Sequence, residues 1–186
     1  MAKEKLSTDF LKECLDYDSL TGNFIWKVRP RSHFKADWSH RSWNLRWSGT
    51  VAGWKDRTSH SKDEYYWKIS VNSVNYKAHR LAWVFITGEW PENVIDHING
   101  NTLDNRSINI RSASDWDNAT NQKRRKDNKS GVTGVGWQKA ICKWYANGRI
   151  NNDLQHLGFY TDKFEAICAR KSWEIKNGFH INHGRG

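Results

Sequence analysis

The sequence has few cysteines and no long apolar run. Its 186 residues include three cysteines, Cys14, Cys142 and Cys168, and no C-x-x-C pair. This odd number indicates neither a disulfide framework nor a cysteine-type zinc site, and it is typical of a reducing cytoplasm. The N-terminal stretch MAKEKLSTDF lacks the apolar region of a signal peptide, and no segment has the length needed to cross a membrane. A secreted or membrane-bound protein is therefore not expected.

Acidic residues are also scarce relative to basic ones. The chain has 30 Lys and Arg against 20 Asp and Glu, a net charge of +10, and its pI is about 9.6. Residues 121–186 hold 13 basic and 5 acidic residues, a balance of +8, so the C-terminal third carries most of the excess. This charge favours a polyanionic partner, nucleic acid first, although basic proteins are often merely soluble.

Tryptophan is abundant, with 12 in the chain. Because the mean hydropathy is only −0.89, many of these rings are expected to lie half-exposed, which suits DNA grooves and sugars as well as ordinary packing.

Local patterns predict an α+β chain. Three segments have the caps, turns or periodicity of regular structure: a helix at 7–16 capped by Ser7 or Thr8, a hairpin of 65–71 with 74–78 around Asn72-Ser73, and a buried helix from His79 that ends at Gly88. Residues 29–50 are rich in Trp, His and Arg without clear periodicity, and they predict an irregular loop that faces DNA.

The middle of the chain predicts the order strand, strand, helix. VIDHI at 94–98 and INIRS at 108–112 are short apolar runs joined by a polar loop. The polar stretch SDWDNATNQKRR then predicts a helix capped by Ser112 or Ser114.

The region after residue 129 predicts three antiparallel strands packed on one helix. GVGWQ, KWYANGRI and QHLGFY are the expected strands, and TDKFEAICARKSWEIKNG is the expected helix. Thr161 is the predicted cap and Gly178 the stop, and the face expected to pack comprises Phe164, Ile167, Cys168 and Lys171.

Four polar residues between 96 and 118 form the most informative set. Asn109 lies twelve residues after His97, and Asn118 lies twenty-two residues after Asp96. Hydrolysis of a phosphodiester needs a base to activate water and hard oxygen ligands for a cation, and these residue types supply both. Adjacent strand residues point to opposite faces, so Asp96 and His97 can serve one site only at a strand end or bulge. Taken singly, His97 could be a hydrogen-bonded core histidine, Asn109 a residue that braces a loop, and Asn118 a solvated helix residue.

The stretch from His79 to about Gly134, with its D-H-x-N-G-N and DNR-x-x-N-x-R patterns, resembles the HNH, or ββα-metal, endonucleases, especially those of phage homing type. The resemblance implies that His97 is the general base and that Asn109 holds the hairpin loop and orients His97. It also implies that Asp96 and Asn118 bind Mg²⁺ or Mn²⁺, with Asn121 as the second-ranked alternative to Asn118. The structural zinc of some relatives is not expected, because no cysteine pairs flank the motif.

The chain after Lys129 resembles the APETALA2-type DNA-binding domain through its G-V-x-W, K-W-x-A and LGFYTDKFEA elements. The resemblance implies a sheet that lies in the major groove, although Trp144 could instead pack against the helix. Basic and aromatic residues in both regions are candidate DNA contacts: Arg80, Arg111, Arg124, Arg125, Trp137, Lys139, Lys143, Trp144 and Arg149.

The sequence thus predicts three parts: residues 1–78 as a support with the Trp-rich loop, 79–128 as the nuclease core and 129–186 as the DNA-binding domain. The expected protein is a metal-dependent endonuclease acting on double-stranded DNA, without a small-molecule cofactor. It is expected to nick as a monomer, a dimer being the alternative, in the cytoplasm of a bacterial host if phage-encoded. The principal rival is a catalytically inactive, sequence-specific DNA-binding protein on a nuclease scaffold. An RNA-binding module is the third hypothesis, although no RNP-like motif is found.

Overall fold

The structure is a computed structural model that describes residues 6–57, 64–151 and 153–185, without the side chains of Asp115, Asn118 and Ala119. It divides into two compact units, residues 1–113 (unit 1) and 114–186 (unit 2). No helix among the described residues is long and apolar enough to cross a membrane. The division of the sequence into three parts stays a prediction.

Among its described residues, unit 1 has three α-helices and three small antiparallel sheets. Its helices are α1 (Thr8–Cys14), α2 (Asp37–Trp47) and α3 (Ala78–Thr87). Its strands are β1 (Leu15–Tyr17), β2 (Phe24–Trp26), β3 (Trp54–Arg57), β4 (Tyr65–Val71), β5 (Val74–Lys77), β6 (Val94–His97) and β7 (Ile110–Ala113). They form the sheets β1-β2, β3-β4-β5 and β6-β7.

Local sequence signals explain much of unit 1. The Oγ of Ser7 accepts a hydrogen bond from the Phe10 backbone N–H over 3.2 Å, which caps α1 as predicted. Asn72 and Ser73 have φ of 49° and 62°, the left-handed pair that a two-residue β4-β5 turn requires. Gly88, with φ of 83°, ends α3. The predicted helices and hairpin of these segments are confirmed.

The prediction of an irregular loop over residues 29–50 is wrong, because Asp37–Trp47 form α2. This helix buries none of its residues, so it lacks the apolar stripe by which a sequence pattern identifies a helix. Packing of Trp43 against Trp26 and polar contacts attach it to the unit. The side chain of Asn44 accepts from the Arg29 backbone N–H over 2.9 Å and donates to the Arg29 carbonyl over 3.0 Å.

The core of unit 1 lies among α1, α3 and the strands. Leu11, Phe24, Ile69 and Leu81 are almost fully buried there. The antiparallel pair β6-β7 joins this core through Ile95 and Ile110, and its register sets Asp96 opposite Arg111 and His97 opposite Ile110. Packing of one hairpin face against α3 therefore fixes which polar residues turn inward.

Unit 2 begins with the short helix α4 (Asp115–Thr120). Ser114 caps it, because its Oγ accepts from the Asp117 backbone N–H over 3.1 Å. The helix predicted to reach residue 125 ends at Thr120, and this length was wrong. The following backbone pairs with the C-terminal segment instead, through Gly184 N–H to Gln122 O and Arg124 N–H to Arg185 O.

Three antiparallel strands and one helix complete unit 2, as predicted. They are β8 (Val135–Gln138), β9 (Lys143–Ile150), β10 (Asp153–Tyr160) and α5 (Lys163–Lys176), with sheet order β10-β9-β8.

Two details of α5 differ from the prediction. Asp162, not Thr161, caps α5, because its Oδ1 accepts from the Phe164 backbone N–H over 2.9 Å. The predicted packing face is only partly right: Ile167 packs against the core of unit 2, but Phe164 is 69% exposed, and the buried residues of α5 are Ala166, Arg170, Trp173 and Glu174. Gly148 gives Trp173 room to pack against the sheet, since a Cβ at position 148 would lie 2.4 Å from the Trp173 ring.

Candidate active site

His97 is the last residue of β6 and is buried, with 3% of its surface exposed. Ile95, two residues earlier, is also buried, whereas Asp96 between them is only partly so. This alternation is that of a strand with one face on the core. The strand ends at His97, which is the position that a shared site for Asp96 and His97 requires, and that they share one site stays a prediction.

The amide of Asn105 orients the His97 ring. Nε2 of His97 lies 3.3 Å from Oδ1 of Asn105, while the Asn105 Nδ2 donates to the Leu103 carbonyl over 3.3 Å. The second bond fixes which end of the amide faces the histidine. An amide oxygen only accepts, so the contact requires a proton on Nε2 and leaves the lone pair of a neutral imidazole on Nδ1.

A second histidine, His79 of α3, packs against His97. Their ring centroids are 5.0 Å apart and their planes meet at 88°. Tyr66 of β4 lies beside both rings, at 5.3 Å from His79 and 6.4 Å from His97. Two aromatic rings from two other elements, α3 and β4, therefore confine the His97 imidazole.

Burial keeps both histidines neutral. It lowers the pKa of His97 below the usual 6.5, against the opposing effects of the Asn105 hydrogen bond and the Asp96 carboxylate. It lowers the pKa of His79 further, and positive charge on His97 would act in the same direction. Near neutral pH the environment therefore favours an unprotonated His97, the form that a general base requires.

Asn109 braces the loop between β6 and β7. Its Oδ1 accepts from the Asn99 backbone N–H over 2.9 Å, and its Nδ2 donates to the Asp104 carbonyl over 2.8 Å. Hydrogen bonds from Arg106 hold the pKa of the Asp104 carboxyl at about 2. The loop that carries Asn105 is thus tied at both ends by side chains.

Contacts from the N-terminal region hold the same loop. The Tyr17 hydroxyl donates to the Asn105 carbonyl over 2.7 Å, and burial raises the pKa of this tyrosine to about 12. Gly22, with φ of +77°, packs so closely that a Cβ would lie 2.6 Å from the Arg106 backbone nitrogen. Only glycine fits this approach.

Asp96 pairs with Arg111 across the β6-β7 hairpin. Nη2 of Arg111 lies 3.0 Å and Nε 3.3 Å from the same carboxylate oxygen, Oδ2. The structure therefore brings together one predicted metal ligand and one predicted DNA contact as an ion pair.

The remaining predicted metal ligand, Asn118, lies in α4, and its side chain is outside the described part of the structure. The second-ranked Asn121 is buried, and its Oδ1 accepts from Arg185 Nη1 over 2.8 Å. Among residues 6–57, 64–151 and 153–185, no group of three or more His, Cys, Asp or Glu side chains could hold a metal ion. Mg²⁺ keeps several waters and takes phosphate oxygens, so a carboxylate such as Asp96 with one further ligand fits its needs.

Several predicted DNA contacts have partners within the protein. Arg80 donates to the Pro91 carbonyl over 3.2 Å and Arg124 to the Gly131 carbonyl over 2.6 Å. Arg125 forms an exposed ion pair with Asp127 at 3.1 Å. Lys139 is exposed. These positions are compatible with phosphate contacts, which remain predictions.

The predicted contacts on the unit 2 sheet lie on two faces. Trp137 and Trp144 are directly paired across β8 and β9, and Trp144 packs against the core that includes Ala166 of α5. Lys143 and Arg149 occupy the alternate positions of β9 and are exposed. The two cations, not the two tryptophans, therefore lie on the face away from the helix.

Sequence reasoning missed three residues around His97: Asn105, His79 and Tyr66. Asn105 lies inside the DNR-x-x-N-x-R pattern, and His79 opens the HRLAW stretch. Both residues therefore belong to motifs found in the sequence, but neither was assigned a role from it. Their contacts to His97 depend on how the hairpin packs against α3 and β4, which local spacing does not encode.

The family model described as HNH endonuclease matches residues 76–120, so this part of the chain is similar to HNH endonucleases. A curated relative, "Protein 3.8" of Escherichia phage T7, is 38% identical over 73 residues, which cover 37% of this chain and 60% of that protein. The match thus spans less than two thirds of the phage protein. No solved structure matches the chain.

Proposed function

We propose that the protein is a metal-dependent endonuclease that hydrolyses phosphodiester bonds in double-stranded DNA, with His97 as the general base. The observation that carries this proposal is the setting of His97 inside the HNH-matching segment: a buried imidazole of lowered pKa, oriented by Asn105. A base with an unprotonated nitrogen near neutral pH can accept the proton of an attacking water.

The chemistry of the protein side chains follows from this orientation. Nε2 of His97 keeps its proton and donates it in the hydrogen bond to Asn105 Oδ1, while Nδ1 takes a proton from water. The water oxygen attacks phosphorus as the bond to the 3′-oxygen breaks, and the departing oxygen takes up a proton. The products are a 5′-phosphate and a 3′-hydroxyl.

We assign Asp96 and Asn118 as the residues that hold Mg²⁺ or Mn²⁺, and Arg111 as the residue that fixes the Asp96 carboxylate. A divalent cation bound there would stabilise negative charge on the phosphate and on the leaving 3′-oxygen. The zinc of some relatives is not part of this proposal.

The rest of the proposal concerns binding. Residues 129–186 are assigned as an APETALA2-type DNA-binding domain, supported by three antiparallel strands on one helix and by Lys143 and Arg149 on the outer face. The enzyme is assigned to the phage homing type and is expected to nick one strand as a monomer, since each chain carries one His97.

The test is cleavage of supercoiled DNA by wild type and His97→Ala with Mg²⁺ or with EDTA. Loss of the base should reduce the cleavage rate by about 10²- to 10⁴-fold while DNA affinity stays unchanged, and the melting temperature of each protein verifies that it is folded at the assay temperature. Open-circular product indicates nicking, and linear product indicates double-strand cleavage. Equal cleavage by both proteins would refute the role of His97. Tight binding without cleavage of any DNA would identify a catalytically inactive DNA-binding protein on a nuclease scaffold.

A further inference from the structure

Four tryptophans of unit 1 surround a cavity that the nuclease mechanism does not use. Trp26 at the end of β2, Trp43 and Trp47 of α2, and Trp54 at the start of β3 line a recess of about 440 Å³. We call these four residues the Trp pocket. Its volume lies within the range of sites that hold small molecules or groups, about 300–1,000 Å³.

The Trp pocket is open to solvent. Trp47 and Trp54 are 39% and 41% exposed, and Val51, which also lines the pocket, is 50% exposed. The rings of Trp26 and Trp43 meet edge to face with centroids 5.2 Å apart, which holds one wall in place. Contiguous exposed apolar surface of this kind marks a site of interaction.

Positive charge surrounds this apolar surface. Residues 27–57 contain eight Lys and Arg against two Asp, a balance of +6. Both aspartates are paired, Asp37 with Arg31 and Asp56 with Lys68. Arg41 and Arg46 are exposed, and neither forms an ion pair with a described residue. The Arg46 guanidinium lies 4.9 Å from the centre of the Trp47 ring.

We propose that the Trp pocket binds an unpaired nucleobase of a DNA strand, while Arg46 contacts a neighbouring phosphate. A nucleobase is the flat group that indoles stack on regardless of its sequence, and phosphates are the anions that flank every base. An intact duplex presents only base edges in its grooves, so it cannot fill a recess walled by indole faces. A gap, a nick or an extruded base can fill it.

This inference rests on the proposed function only in taking DNA as the partner, since it requires neither His97 nor metal. Binding is therefore measured in EDTA with the His97→Ala protein, using labelled duplexes that are either intact or interrupted by a short single-stranded thymidine gap. Trp47→Ala removes one wall of the pocket. Trp38→Ala is the matched control, because Trp38 is an exposed tryptophan of the same helix that does not line the recess.

The proposal predicts that Trp47→Ala weakens binding of gapped DNA by about 5- to 150-fold, the range for loss of one stacked base, with less than a twofold change on intact duplex. Trp38→Ala should change the two affinities equally and by less, and Trp47→Phe should restore part of the loss. Melting temperatures confirm that each variant folds.

A second measurement does not depend on any variant. Gapped DNA carrying 5-iododeoxyuridine in the gap, irradiated with wild-type protein in EDTA, should cross-link to peptides that contain Trp43, Trp47 or Trp54.

Three results would overturn the inference: unchanged gapped-DNA affinity of Trp47→Ala, cross-links confined to residues 129–185, or competition by poly-glutamate or single-stranded RNA stronger than by single-stranded DNA. If these binding tests succeed but the wild-type protein cleaves no DNA, the proposed catalysis is refuted and the inference about the Trp pocket stands.

Discussion

Each of the two units buries a histidine among other polar side chains, but their environments differ. In unit 2, Arg170 and Glu174 side chains are 4% and 6% exposed and form an ion pair at 2.9 Å, with His183 Nε2 3.5 Å from Arg170 Nη2. In unit 1, burial holds His79 and His97 neutral, and Asn105 orients His97.

The two clusters differ in their charged neighbours. The charges in unit 2 satisfy each other and the Asn147 carbonyl, which accepts from Arg170 Nη1 over 2.8 Å. Burial lowers the pKa of His183 as well, and its two ring nitrogens face the Thr120 carbonyl and Arg170. Burial and a lowered pKa therefore do not by themselves identify a site, and His97 is distinguished by its contact with Asn105 and by its place in residues 76–120, which match the HNH family model.

The largest expected effect is on the stability of unit 2. Arg170→Ala leaves Glu174 buried without its main partner, which should reduce the free energy of unfolding by about 3–5 kcal/mol. Urea denaturation measures this loss. The double variant Arg170→Met/Glu174→Leu removes both charges and should lose far less. If the single substitution costs under about 1 kcal/mol, the ion pair does not stabilise the unit in the way we describe.

The next largest effect is on the cleavage rate, and it tests the contact between Asn105 and His97 in unit 1. Asn105→Ala should reduce the cleavage rate constant by about 10- to 100-fold, the usual result of removing the partner that orients a functional histidine. DNA affinity should not change. Asn101→Ala is the control, because Asn101 is an exposed amide of the same loop that bonds only to its own turn. Equal losses in the two variants would mean that loop integrity, not the His97 contact, limits the rate.

The smallest effect is a dependence of stability on pH. The pKa of His79 lies well below 6.5 in the folded protein, so the unfolded chain binds more protons as the pH falls through 6.5. Folding stability is therefore full above pH 6.5 and declines as the pH is lowered towards the folded pKa.

The His79→Leu variant should flatten this decline between pH 7.5 and 5.5, as measured by urea midpoints. Val84→Ala, a buried substitution in the same helix, should lower all midpoints alike and keep the slope. A slope that persists unchanged in His79→Leu would assign the decline to other groups.

Much of the fold was predictable because its signals are local. Ser7 caps α1, the left-handed pair Asn72-Ser73 turns the hairpin, and Gly88 ends α3. Helix α2 was missed because a helix that buries nothing has no apolar period to detect. The end of α4 was missed because backbone partners some sixty residues away replace its last turns.

The candidate site was partly predictable for the same reason. The resemblance to HNH endonucleases is confirmed over residues 76–120, while the roles of His97, Asp96, Asn109 and Asn118 stay predictions. The partners Asn105 and His79 needed the structure, because a ring contact between α3 and β6 is set by packing and not by spacing.

The sequence by itself determined that the chain is basic, that residues 76–120 carry HNH features and that most helices and strands begin and end where they do, since composition, motifs and caps act over a few residues. Only the tertiary structure decided that Asn105 and His79 surround His97, that Asp96 pairs with Arg111 and that four tryptophans form an open pocket. Those relations join residues distant in the chain, and burial, which controls the pKa of His97, exists only once the chain has folded.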